Sequence, residues 1–120
     1  MDGIATFVPD DIVLTRTFDS PEGPVVLEVN TPRPFVAADP ADDYYCTFRI
    51  SAPAGVSYEG GGGGVDAVQA LLLALTKSHE ELQRLCPDLT FLGDPNLGLP
   101  VVTVRPDNAI DAVVSLAPAL

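Results

Sequence analysis

The sequence predicts an α+β domain: an antiparallel sheet of four to five strands with one long helix packed on one face, in the order β-β-β-α-β, and a short C-terminal helix. Three observations carry this. The first half of the chain holds segments in which apolar and polar residues alternate, the period of a half-buried strand. The densest run of helix formers begins directly behind five consecutive glycines, Gly60 to Gly64. Strands joined by short turns pair antiparallel, and a lone amphipathic helix must lay its apolar stripe on them. At 120 residues, 47% of them hydrophobic, the chain reads as one domain, 1–120, with material for a core.

In chain order, residues 5–8 read as a short edge piece. Residues 12–18 and 25–30 read as strands on either side of Asp19-Ser20-Pro21-Glu22-Gly23-Pro24, a hairpin with a five- or six-residue loop. In the second strand Val25, Leu27 and Val29 share one face, with Glu28 and Asn30 on the other. Residues 31–43 contain Pro32, Pro34 and Pro40, which donate no ladder hydrogen bond, so this stretch reads as an exposed connection. Residues 44–50 alternate most clearly: Tyr44, Cys46, Phe48 and Ile50 face the core, while Tyr45, Thr47 and Arg49 face outward. Residues 56–58 read as a second edge piece, and the glycines behind them as a flexible hinge.

The helix spans residues 66–85. Asp66 is placed to cap its start, because a carboxylate there accepts hydrogen bonds from unpaired backbone N–H groups and favours the positive helix end. Pro87 stops the other end. At ~100° per residue, Val68, Leu71, Leu72, Leu75, His79, Leu82 and Cys86 fall on one stripe. Leu73 stands outside it among Lys77, Glu80, Glu81 and Arg84. An irregular loop, 87–100, leads to a last strand at 101–105, closed by Pro106. The apolar tail, 106–120, predicts a short helix capped by Asp107 or Asn108, carrying Ile110, Val113, Val114 and Leu116 and ended by Pro118. Such a tail needs cover, either beside the main helix over Leu73 or against a second copy of the chain.

Seventeen acidic residues against six basic ones give a net charge of −11. That balance argues against nucleic acid and anionic membranes, which are bound by neutralising phosphates with Lys and Arg. It suits a basic protein partner, steered in by the field. No run approaches the ~20 apolar residues of a membrane span. The start, Met1-Asp2-Gly3-Ile4, lacks the basic and apolar regions of a secretory signal, so the expected compartment is the cytoplasm.

Chemistry is sparse. Cys46 and Cys86 have neither CxxC spacing nor histidine company, so no metal site is expected and both read as free thiols. Glycines before a helix can cradle phosphate, but Val65 and Asp66 stand where a phosphate loop needs Lys and Ser/Thr, and a carboxylate would compete with the anion. No cofactor is expected. His79 is the only histidine, so any Ser–His–Asp or Cys–His pairing must use it; its place on the apolar stripe reads as packing. The acidic clusters, Asp10 and Asp11 with Asp39, Asp42 and Asp43, lack the central Gly and terminal Glu of a calcium loop and read as solvated. Tyr45, Arg49 and Arg105 are the expected interface anchors on the open face of the sheet, which Thr103 shares, since Tyr and Arg are enriched at binding hot spots; Leu73, on the outer side of the helix, is a further binding candidate.

The strand Tyr44-Tyr45-Cys46-Thr47-Phe48-Arg49-Ile50, then Tyr58, then Gly64-Val65-Asp66-Ala67-Val68-Gln69-Ala70-Leu71 resembles a family of small bacterial domains of unknown function. Its members carry a strand of the Tyr-x-Cys/x-x-Phe-x-Ile type, a glycine turn and a helix opening Val-Asp-Ala/Ser-x-Gln-Ala-Leu. The likeness runs over residues 12–104, implies the same element order and brings no catalytic residues. The five-glycine run is longer than the family's turn. Gln69, the one polar residue between Ala67 and Leu75, is assigned a structural role.

These readings favour a non-enzymatic protein-binding module, of an immunity or accessory kind. Two alternatives stand beside it: a small-ligand binder or minor enzyme using a helix–sheet cavity near His79, Cys46 and Cys86, and a structural homodimer sealed by the tail.

Overall fold

The structure, a computed structural model, describes residues 6–35 and 43–116. Its elements are β1 (Ile12–Ser20), β2 (Gly23–Asn30), β3 (Arg33–Pro34), β4 (Tyr44–Ser51), a 3-10 turn (Pro53–Gly55), β5 (Ser57–Gly64), α1 (Ala67–Leu85), β6 (Val101–Val104) and β7 (Ile110–Val113). This is an α+β fold. β1 to β5 form one antiparallel sheet in which β1 pairs β2, β2 and β3 pair one edge of β4, and β5 pairs the other. The predicted wide hairpin loop is only Pro21-Glu22, because Asp19 pairs with Pro24 and Ser20 with Gly23. The Ser20 hydroxyl closes that turn by donating to Gly23 O at 2.7 Å.

The glycine run is not a hinge. Gly60 to Gly64 are the last five residues of β5, in register with Phe48 to Tyr44 of β4. The physical reason lies in the helix above them. A Cβ on Gly64 would sit 2.5 Å from Ala70 N, and one on Gly62 would sit 2.6 Å from the carbonyl carbon of Leu73. Only a strand without side chains lets α1 come down this far, and close packing of backbone on backbone offsets the entropy that glycine loses in a strand.

That closeness also turns the helix. The face pressed on the sheet is built on Ala70, Ala74 and Ser78, with Leu82 and His79 beyond, rather than on the leucine stripe. Val68 is left 66% exposed and Leu72 41% exposed, while Leu73 becomes half-buried. The correction follows from size: a glycine floor accepts alanine and serine directly above it, so the larger leucines move to the flank.

Phe18, Val25, Leu27, Val29, Cys46, Phe48 and Ile50 supply the sheet's side of the core. The loop between α1 and β6 covers the part of the sheet that α1 does not reach, burying Leu89, Leu97 and Leu99. It is tied to the outer edge of β1 by paired backbone hydrogen bonds between Asp19 and Thr90, both 2.9 Å.

The C-terminal segment differs from the expectation. Among the described residues, up to 116, it forms no helix, and β6 does not join the main sheet; β6 and β7 make a separate two-stranded sheet. Asn108 takes a left-handed φ of 68°. Asp107 Oδ1 accepts from Ala109 N at 3.0 Å, and Arg105 N donates to Ala109 O at 2.8 Å. These bonds reverse the chain at once, and the β-branched residues on both sides then pair as strands. Residues 6–8 likewise form no edge strand, because the Asn30 side chain takes both Val8 N and Val8 O. The acidic loop positions Asp39 and Asp42, the tail's Pro118 and Ala5 lie outside the described residues.

Candidate functional site

The outer face of the sheet is partly roofed. Asn30 is fully buried there: its Oδ1 accepts from Val8 N at 2.7 Å and from the Thr47 hydroxyl at 2.7 Å, and its Nδ2 donates to Val8 O and Asp11 O at 2.9 and 2.6 Å. One amide thus holds the segment before β1 across β2 and β4, and Phe7 and Thr47 are buried beneath it. Asp11 continues the strap, paired with Arg33 and accepting from Thr31 Oγ1 at 2.8 Å. The Arg33 hydrogen bond, followed by that of the Thr31 hydroxyl, holds the Asp11 carboxyl below its ordinary value.

Tyr45 and Arg49 share this face. Arg49 pairs with Glu28 at 2.9 Å and lies 4.5 Å above the Phe7 ring. Tyr45 packs against Phe35, 5.3 Å between ring centres, and over Gly61. Arg105 is not on this sheet and neither is Thr103; both belong to the β6–β7 hairpin, where Arg105 stands between Asp107 at 3.7 Å and Asp111 at 3.6 Å. The anchors expected on one face are therefore divided between two sheets.

Within the core, Cys46 donates its thiol to Asn30 O at 3.4 Å, and burial pushes its pKa up to about 11. Cys86 is half-buried and also raised, by burial and then by the nearby Glu22 charge. His79 is buried, with Nδ1 3.2 Å from Pro100 O; a carbonyl only accepts, so Nδ1 carries the proton. The histidine thus anchors the end of the loop before β6, and the hydrogen bonds of the described residues join it to no thiol, hydroxyl or carboxylate. Among the described residues no group of three His, Cys, Asp or Glu could hold a metal ion. None of the described helices is long and apolar enough to cross a membrane.

At the start of α1, Asp66 Oδ1 accepts from Gln69 N at 2.8 Å, and Gln69 Oε1 accepts from Val65 N at 2.7 Å. Two groups left unpaired by the end of β5 and the first helical turn are satisfied reciprocally.

Two further features take their form only in three dimensions. The β6–β7 hairpin carries Val104 and Ile110 at 67% and 65% exposure, with Val101 and Val113 also exposed, and Val114 and Leu116 (78%) follow just behind β7. A cleft of about 220 Å³ opens between β1 and α1, walled by Leu14, Leu27, Val29, Leu72, Leu75 and Leu99, with Arg16, Thr15 and Gly98 at its polar side. His79, Cys46 and Cys86 do not line it. The one signal for it in the sequence is Arg16, a cation at an inward-facing position of a strand.

No curated protein and no solved structure matches the chain. The model of a family described as a domain of unknown function, DUF6968, matches residues 14–101, and the chain belongs to that family.

Proposed function

We propose that this chain is a non-enzymatic protein-binding module, working in the cytoplasm, that grips a basic partner through its β6–β7 hairpin. The observation that carries the reading is the uncovered apolar surface of that hairpin, on Val104 and Ile110, continued by Leu116 behind β7. A two-stranded sheet is marginal by itself, and apolar side chains concentrated on such an arm mark an interaction site. The hairpin pairs with itself and not with the main sheet, so its outward side chains are left to solvent. Net charge −11 supports a basic partner, since opposite potential raises encounter rates. Immunity and accessory roles both take this form.

The test is a double substitution, Val104→Lys with Ile110→Lys. Both positions are exposed, so the melting temperature is expected to hold, with stability changed by about 0.5 kcal/mol or less. A stoichiometric basic protein should be recovered from the native host by the wild-type chain and lost with the double variant. Recovery of the same protein by both chains, or of none by either, overturns the reading.

A homodimer is the second reading, favoured by the sequence of β6, Val101-Val102-Thr103-Val104, an uncharged strand edge on which two strongly acidic copies could meet. Sedimentation of the wild-type chain as a monomer at all concentrations removes it.

A further inference from the structure

We infer that the cleft between β1 and α1 binds a small amphiphilic anion, a medium-chain aliphatic carboxylate, with the chain among the leucines and the carboxylate on Arg16. The chain has five arginines. Arg33, Arg49, Arg84 and Arg105 each stand within ion-pair distance of a carboxylate. Among the described residues Arg16 alone of the five has none, although acidic residues outnumber basic ones almost three to one.

Its surroundings hold the guanidinium in place and leave its charge standing. Nη1 donates to Leu97 O and Gly98 O at 3.1 and 3.3 Å, and the head lies 4.2 Å above the Phe91 ring. Carbonyls and a ring face stabilise a cation without neutralising it. Both hydrogen bonds use Nη1, and among the described residues none is made by Nε or Nη2, the edge that meets a carboxylate with two parallel bonds. Beside it the cleft is apolar on β1, β2, α1 and the loop before β6, and no carboxylate lines it. Repulsion from the chain's acidic surface falls off within about 8 Å at physiological ionic strength.

Size narrows the ligand class. About 220 Å³ is below the roughly 300–1,000 Å³ of pockets for drug-sized molecules, which suits one short aliphatic chain and excludes a steroid or a two-chain lipid. Val114 stands at the cleft, and Leu14 and Leu72 expose part of their surface beside it, so a ligand enters from solvent without unfolding the core.

Titration calorimetry with hexanoate, octanoate and decanoate, each below its micelle concentration, tests this on the wild-type chain. Affinity should rise about four-fold for each methylene added and level off once the cleft is full. Octanol should bind about ten-fold or more weakly than octanoate, the difference a charge-assisted pair makes. Arg16→Met should erase that difference while leaving octanol binding in place. Because Arg16→Met also releases the loop at Leu97 and Gly98, a second variant is needed: Leu72→Trp, on the helix flank, should fill the cleft and weaken both ligands. No binding of any carboxylate overturns the inference, as does equal binding of octanol and octanoate by the wild-type chain, a Leu72→Trp variant that binds unchanged, or a dimer whose formation covers the cleft and shuts the carboxylate out. None of these outcomes bears on the hairpin and its protein partner.

Discussion

A methyl group placed on Gly62 would lie 2.6 Å from the carbonyl carbon of Leu73, whereas one on Gly63 would meet nothing nearer than 3.7 Å. The two glycines are neighbours in one strand, pointing to opposite faces of the sheet. Gly62→Ala must push the helix backbone away and is expected to cost about 1–3 kcal/mol; Gly63→Ala faces the Tyr45 side with room and should stay within about 0.5 kcal/mol of wild type. Urea unfolding of both variants checks this, and equal losses would sink the close-packed helix. The thiol of Cys46 supplies a pH dependence. Its folded value is raised from 9.0 to about 11, so the folded chain holds the proton longer than the unfolded chain does. The resulting stabilisation is complete below pH 9 and is lost as pH rises through the folded value. The stability of the wild-type chain should therefore fall more steeply across this window than that of Cys46→Ala, all other titrating groups being shared. Parallel slopes would show that the thiol does not couple to folding.

At the scale of elements, local signals were legible where local physics decides. Asp66 caps α1 as its position predicts, and Asp66→Ala should cost about 1 kcal/mol, read as a drop in melting temperature; no change would mean that Gln69 and Val65 hold the helix start without it. The alternation in β2 and β4 placed Val25, Leu27, Val29, Cys46, Phe48 and Ile50 inside, as found. What failed depended on partners distant in the chain. Glycine's backbone freedom reads as a hinge until the helix that needs a bare strand is seen above it. The leucine periodicity in α1 is real, but the floor beneath it accepts Ala70 and Ala74, so Val68 and Leu72 stay out. In the tail, the spacing of Ile110, Val113 and Val114 fits helix and strand alike; the turn at Asn108 decides. Arg16 shows in the sequence only as a cation at an inward-facing strand position, and Asn30 not at all, since a cation over a ring and an amide holding a strap are defined by the residues they meet.

For the whole molecule the dominant quantity is charge. Five carboxylate–arginine contacts hold the folded surface together locally, and each such exposed or half-exposed pair is worth at most about 1 kcal/mol. Against them stands a net charge of −11 on a chain of 120 residues, brought close together on folding. Pair attraction acts over a few ångströms and is weakened little by modest salt, while repulsion summed over the surface acts over longer distances and is screened first. Raising the salt from about 10 mM to about 0.15 M shortens the screening length from ~30 Å to ~8 Å, so the repulsive sum should lose more than the pairs do. The melting temperature is therefore expected to rise over that interval. A zwitterionic solute at the same osmolality serves as the control, because it leaves the screening length unchanged. A melting temperature that falls with salt would show that the Arg33–Asp11 and Arg49–Glu28 pairs, which anchor the strap over the outer sheet face, outweigh the repulsion of the whole surface.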